Sequence, residues 1–144
     1  MIVVTGGAGF IGSNIVAALE ARGEFDVIVS DWLGKGRKWC NISKRELGAV
    51  VQPDNLFDVL SLHGDALEAV FHMGAISSTT MTDGDCIMEN NFNLSWDLWK
   101  WCEAHGARFI YASSAATYGD GSAGKKIAEL ITTVPLQIDK VLSY

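Results

Sequence analysis

The chain has 144 residues, 49% apolar and 19% charged, a globular composition that fits one domain and excludes a disordered chain. A formal net charge of −6 with no block of Lys or Arg excludes the basic face that a nucleic-acid backbone needs. No apolar run is long enough to span a membrane, no basic region precedes the apolar run at Met1, and Cys40, Cys86 and Cys102 are scattered, so the expectation is a cytoplasmic protein with reduced thiols.

Ile2–Thr5 is predicted as a first strand and residues 10–22 as a first helix, stopped by Gly23 as a left-handed cap would stop it. Between them runs Thr5-Gly6-Gly7-Ala8-Gly9-Phe10-Ile11-Gly12. A strand that turns through glycines into a helix suits a dinucleotide pyrophosphate. Backbone amides approach the phosphates, and the helix N-terminus adds a favourable dipole. Gly6, Gly9 and Gly12 have the spacing Gly-x-x-Gly-x-x-Gly, which meets three needs: a tight turn, close phosphate approach and close helix–strand packing. A plain glycine turn would not require a strand before it and a helix after it.

Residues 27–29 form a short apolar strand that ends at Asp31, 25 positions after Gly6. An acid there bonds adenosine ribose hydroxyls, or else serves as a strand-end turn residue. The loop from Trp32 to Cys40 holds Lys35, Arg37 and Lys38. These bases suit the 2′-phosphate of NADP, or form a solvated basic loop. Acid and bases together leave NAD and NADP both open on physical grounds.

Residues 47–51 read as a third strand, and Pro53 opens a helix running to about Leu62. Ala69–His72 is the fourth strand, followed by His72-Met73-Gly74-Ala75-Ile76-Ser77-Ser78. Open α/β sheets place ligands beyond the C-terminal ends of strands, and Gly74 and Ala75 are small enough to let a cofactor pass. Residues 83–105 form a long helical stretch with Leu94, Leu98, Trp101 and Cys102 on one stripe, ended by Gly106. Asn90 and Asn91 are poor helix formers within it, which points to a polar role toward the cofactor or to surface exposure. Trp96, Trp99 and Trp101 read as helix packing rather than ligand stacking. His63, His72 and His105 have no ligand spacing, so no metal site is expected. Residues 109–112 form the fifth strand, after which a serine hydroxyl at 113–114 would reach a sugar hydroxyl or carbonyl, or act as a cap. Apolar strands alternating with helices imply an α/β fold, a Rossmann-type parallel sheet flanked by helices. It is incomplete at about five strands, in the order 3-2-1-4-5, with strands buried on both faces.

These segments resemble the extended short-chain dehydrogenase/reductase superfamily, in its NAD-dependent epimerase/dehydratase family. The resemblance is carried by residues 1–16, Asp31 with Gly36 and Lys38, His72 through Ser77-Ser78-Thr79-Thr80, Asn90-Asn91, and Tyr111-Ala112-Ser113-Ser114-Ala115-Ala116-Thr117-Tyr118-Gly119. It covers Met1 to about Gly124, and the Ser-Ser-Thr-Thr and Ser-Ser-Ala-Ala-Thr-Tyr-Gly runs are more specific than the glycine turn. It implies that residues 1–124 are the N-terminal part of an NAD(P)-binding domain in an isomerase. The reaction it implies inverts one carbon of a nucleotide sugar by hydride transfer to and from NADP. By the same resemblance Phe10 and Ile11 lie with Gly6, Gly9 and Gly12 at the pyrophosphate, and Asp31, Trp32 and Lys38 at the adenosine end. Met73, Gly74, Ala75, Ile76 and Ser77 run along the cofactor, Asn90 contacts it, and Ser114 polarises the reacting sugar oxygen. Trp32 stands where the family commonly has Asn. Intact members are expected to be homo-oligomers.

The family's proton transfer needs a Tyr-x-x-x-Lys pair, in which Lys lowers the pKa of Tyr. Tyr111 has Ala115 four residues on, Tyr118 has Ser122, and Tyr144 is the last residue. Residues 125–144 read as a divergent tail outside the resemblance, with Ile127, Leu130, Ile131 and Val134 striping a short helix before Pro135. The expectations are a frameshifted or truncated continuation, a chain inactive alone, and an apolar sheet edge at residues 109–112.

Overall fold

Runs of β-branched and apolar residues four or so long are too short for stable helices and suit strands buried within a sheet. In the computed structural model, which describes residues 1–63, 66–78 and 80–113, they do form one. The strands are β1 (Ile2–Thr5), β2 (Val27–Ser30), β3 (Ala49–Val51), β4 (Ala69–His72) and β5 (Arg108–Tyr111). All pair in parallel, in the order β3-β2-β1-β4-β5. The helices are α1 (Phe10–Ala21), α2 (Leu56–His63), α3 (Gly84–Met88) and α4 (Leu94–His105). These elements belong to one unit, Met1–Tyr111, and the remaining described residues, Ala112 and Ser113, belong to a second.

Side chains alternate across each strand, so β1 feeds two cores. Met1 and Val3 join Ile28, Val70, Leu56 and Leu60 of α2, and Leu98 and Cys102 of α4, in one buried cluster. Alternation sends Ile2, Val4, Val27, Val29 and Phe71 to the opposite face, and α1 buries Ile15, Val16 and Leu19. Every residue of β1, β2 and β4 is buried. β3 and β5 are not, which corrects the expectation of burial on both faces throughout: among the described residues they are the two edges of the sheet, with neighbours on one side only. β3 also starts at Ala49, two residues later than the sequence predicts. Gly48 donates to Val27 O, while the segment before it is tied to Glu20 through Arg45 Nη1 (2.8 Å) and Glu46 N (2.7 Å).

The helix ends follow local chemistry. Gly23 and Gly106 take the left-handed φ values of 84° and 67° at the ends of α1 and α4. The Asp83 carboxylate accepts from Cys86 N at 3.0 Å and caps α3, a contact worth about 1 kcal/mol. The single long helix expected over residues 83–105 is a correction: a π turn, Glu89–Asn93, interrupts it. Three polar side chains sit at or beside that turn and bond backbone rather than solvent: Asn90 to Cys86 O, Asn91 to Ile76, and Ser95 to Asn91 O. Such turns mark places where a helix is reshaped to aim particular groups.

The aromatic residues of α4 pack on the helix, on the π turn before it or on the core. Phe92 stacks on Trp96 at 6.4 Å, Trp96 meets Trp99 at 4.9 Å, and Lys100 Nζ sits 5.0 Å over Trp96. Trp101 packs against the core cluster. The predicted tail helix of residues 125–144 lies outside the described residues.

Candidate functional site

A groove of about 630 Å³ opens at the C-terminal ends of β1, β2 and β4. The chain moves from β1 to one side of the sheet and returns to its other side with β4, so this is the point where strand order reverses. Open α/β sheets bind ligands there.

The glycine turn builds one wall. Gly6 N donates to Ser30 O (2.8 Å), Gly9 N to Gly6 O (2.9 Å) and Ser13 N to Gly9 O (3.0 Å). Gly6 has φ 62°, and a Cβ on it would stand 2.7 Å from Gly74 Cα. No other residue fits where β1 and β4 deliver their loops against each other. The first-turn amides of α1, at Phe10, Ile11 and Gly12, have no intrahelical carbonyl to bond and carry the positive end of a 12-residue helix dipole. The Phe10 side chain is 86% exposed at this rim, an aromatic ring left out of the core beside a ligand-sized space.

At the far end Asp31 is buried, with its carboxylate held by Ala8 N (2.9 Å) and by Lys38 Nζ (2.5 Å). Lys38 Nζ also donates to Trp32 O (3.3 Å), and Asn41 Nδ2 pins Ala8 O (2.8 Å). A buried carboxylate needs such partners, and the Lys38 cation supplies the compensating charge. Trp32 lies exposed over this end. Lys35 and Arg37 are exposed and do not line the groove.

The third wall is the loop after β4. Met73 N donates to Thr5 O (3.2 Å) and Gly74 N to the Thr5 hydroxyl (3.1 Å). Asn91 holds Ile76 from both sides, accepting from Ile76 N (2.7 Å) and donating to Ile76 O (3.0 Å). Behind the loop His72 is fully buried between Thr5 Oγ1 (Nδ1, 2.6 Å) and Ser95 Oγ (Nε2, 2.8 Å). Burial pushes its pKa down to about 4.

The structure brings the predicted cofactor residues together: Gly6, Gly9, Phe10, Ile11, Gly12, Asp31, Trp32, Lys38, Met73 through Ser77, and Asn90 all line this one groove. Thr5, Ser30, Pro53 and Leu94 also line it and were missed. Thr5 and Ser30 are register partners at adjacent strand ends, a signal that aligning the predicted strands would have exposed. Ser114, the predicted catalytic residue, lies outside the described residues, as do Thr79, Tyr118 and Tyr144.

The residues fit a dinucleotide. Two observations carry this: a glycine turn packed so closely that a Cβ at Gly6 or Gly12 would stand 2.7 Å or less from backbone atoms, and Ser30 Oγ, a buried hydroxyl on the groove lining with no hydrogen-bond partner. Among the described residues no three His, Cys, Asp or Glu side chains gather to hold a metal, and no helix is long and apolar enough to cross a membrane.

The model of the NAD dependent epimerase/dehydratase family matches residues 2–141. The ADP-L-glycero-D-manno-heptose-6-epimerase of Fusobacterium nucleatum is 49% identical over 126 residues, which is 86% of this chain and 38% of that protein. The enzyme of the same name from Nitratidesulfovibrio vulgaris is 50% identical over 127 residues, 86% of this chain and 39% of that protein. The chain thus spans about two fifths of the length of these relatives. Among solved structures, the Helicobacter pylori ADP-L-glycero-D-manno-heptose-6-epimerase superposes with a TM-score of 0.64 at 30% identity, over 83% of this chain and 40% of that one. The Bacillus cereus UDP-glucuronic acid 4-epimerase in complex with NAD superposes with a TM-score of 0.68 at 26% identity, over 83% and 41%.

Proposed function

This chain belongs to the NAD-dependent epimerase/dehydratase family, and we propose that it is the cofactor-holding N-terminal part of an ADP-glyceromanno-heptose 6-epimerase that uses NADP. The observation that carries the reading is the groove, which joins the glycine cradle, the Asp31–Lys38 pair and the Met73–Ser77 wall in one ligand-sized space. The similarity to two heptose epimerases at about half identity supports the substrate class, an ADP-linked heptose.

The nicotinamide supplies the hydride acceptor and donor that inversion at C6 requires. The chain's own residues bind and orient it. The α1 amides face the pyrophosphate, and Asp31 takes the adenosine ribose. Lys38, the cation nearest the adenosine end, takes a 2′-phosphate and so selects NADP over NAD. Ser114 polarises the sugar oxygen, and residues 1–124 make up the cofactor-binding part, with 125–144 as a tail. No Tyr-x-x-x-Lys occurs in the 144 residues, so they hold the cofactor without completing proton transfer.

Calorimetric titration of NADP and NAD into the full chain and a Lys38→Ala variant tests this. The wild type is expected to favour NADP, and the variant to lose roughly tenfold in that preference, the worth of one charge-assisted contact. No turnover of ADP-heptose is expected from either. Equal affinities for NAD and NADP in the wild type, or turnover at the rate of a full-length relative, would contradict the reading.

A further inference from the structure

The hydrogen bonds behind the third wall have only one consistent direction. Asn91 O, a carbonyl, can only accept, so the Ser95 hydroxyl spends its proton on it at 2.9 Å. Ser95 Oγ must then accept from His72, which places a proton on Nε2. A neutral imidazole carries one ring proton, so Nδ1 is bare and accepts from the Thr5 hydroxyl. Thr5 Oγ1 in turn accepts from Gly74 N. The sequence of donors therefore runs from Gly74 N–H through Thr5, His72 and Ser95 to the carbonyl of Asn91, with no proton left over. The Asn91 side chain closes the loop by taking Ile76 N and giving to Ile76 O. His72 and Ser95 do not line the groove; Thr5, Gly74 and Ile76 do.

We propose that Thr5, His72, Ser95 and Asn91 are a positioning relay that fixes the Met73–Ser77 wall of the cofactor groove at two backbone points, Gly74 and Ile76. The Met73–Ser77 wall is a loop with no strand or helix ladder of its own, and a loop's backbone is placed by what bonds it. Here both anchors lead to one buried ring whose two nitrogens differ in role. The depressed pKa of His72 keeps the ring neutral at pH 7, as the two roles require. The π turn also acquires a reason: it carries Asn91, whose side chain and backbone carbonyl both serve this network. The relay rests on the groove's being a cofactor site, but the proton placement does not.

Two measurements on the full chain decide it. Nitrogen NMR of histidine-labelled wild type at pH 7 is expected to show His72 protonated at Nε2 and bare at Nδ1. Calorimetry with NADP is expected to show roughly tenfold weaker binding for Thr5→Val and for Ser95→Ala, each of which leaves a buried partner unpaired, and a Thr5→Ser variant within about twofold of wild type. His72 protonated at Nδ1 overturns the relay. So do variants with a lowered Tm but unchanged NADP affinity, since a merely structural network would behave that way. Failure of the cofactor reading has its own signature, the Nε2–H tautomer with no binding of either dinucleotide by wild type, and that overturns the purpose proposed for the relay.

Discussion

Gly12→Ala is expected to lower the folding free energy by about 3 kcal/mol and to abolish dinucleotide binding. A Cβ at Gly12 would stand 2.3 Å from Gly6 O and 2.7 Å from Gly7 Cα. Both are backbone atoms of the turn, and neither can rotate away. Relief requires α1 to move off β1, and α1 carries Ile15, Val16 and Leu19 into the core beneath it. The same movement withdraws the first-turn amides from the groove, so stability and binding fall together. Gly36→Ala is the matching control. Its Cβ would meet nothing within 4 Å, and its effect is expected within about 0.5 kcal/mol. Urea unfolding and NADP calorimetry on both variants measure the contrast; a Gly12→Ala chain as stable as Gly36→Ala, with unchanged affinity, would contradict the packing described.

Acid is expected to destabilise the fold through His72, beginning as pH falls below the ordinary histidine range. The folded pKa is lowered to about 4 from the ordinary 6.5 of histidine, so between these values the unfolded chain holds a proton that the folded chain refuses. Stability therefore falls as pH drops through this window, by about 3 kcal/mol in all. The ring's neighbours are the Thr5 and Ser95 hydroxyls and the rings of Phe109 (5.9 Å) and Tyr111 (5.7 Å), none of them an anion that would favour the imidazolium. Glu20 has its pKa lowered by the Glu46 amide and Arg45, so it loses stability in the same direction, only at lower pH. Urea titrations from pH 7 to 4 on wild type and His72→Asn separate the two. The wild-type curve should be steeper by about one proton over this range, and identical slopes would contradict a buried neutral His72.

What the sequence made legible was local. The strand–glycine–helix unit of residues 2–21, the strand-ending Asp31 and the small residues after β4 each announce themselves within a few positions. The sheet order then follows from alternation of strands with helices. Most groove residues were legible for the same reason, since they sit at ends of elements that could be placed, while Thr5, Ser30, Pro53 and Leu94 were missed. What was not legible joins distant segments. Thr5 with His72, His72 with Ser95, and Asn91 with Ile76 are contacts between elements, and nothing in the spacing of these residues pairs them. His72 read as a histidine without ligand spacing because its partners are hydroxyls. The π turn escaped because the apolar stripe of residues 94–102 continues helical periodicity beyond it. Lys38 read as a phosphate partner, and the structure adds its second role as the counter-charge of buried Asp31.

The central claim is that the β1–α1 turn holds a dinucleotide pyrophosphate. Its most direct test is a backbone amide NMR titration of the full chain with NADP. The largest shifts are predicted at Gly9, Phe10, Ile11 and Gly12, followed by Gly74 and Ile76, all saturating with one equivalent. Saturating NADP that leaves the amides of Gly9 to Gly12 unmoved would contradict the account.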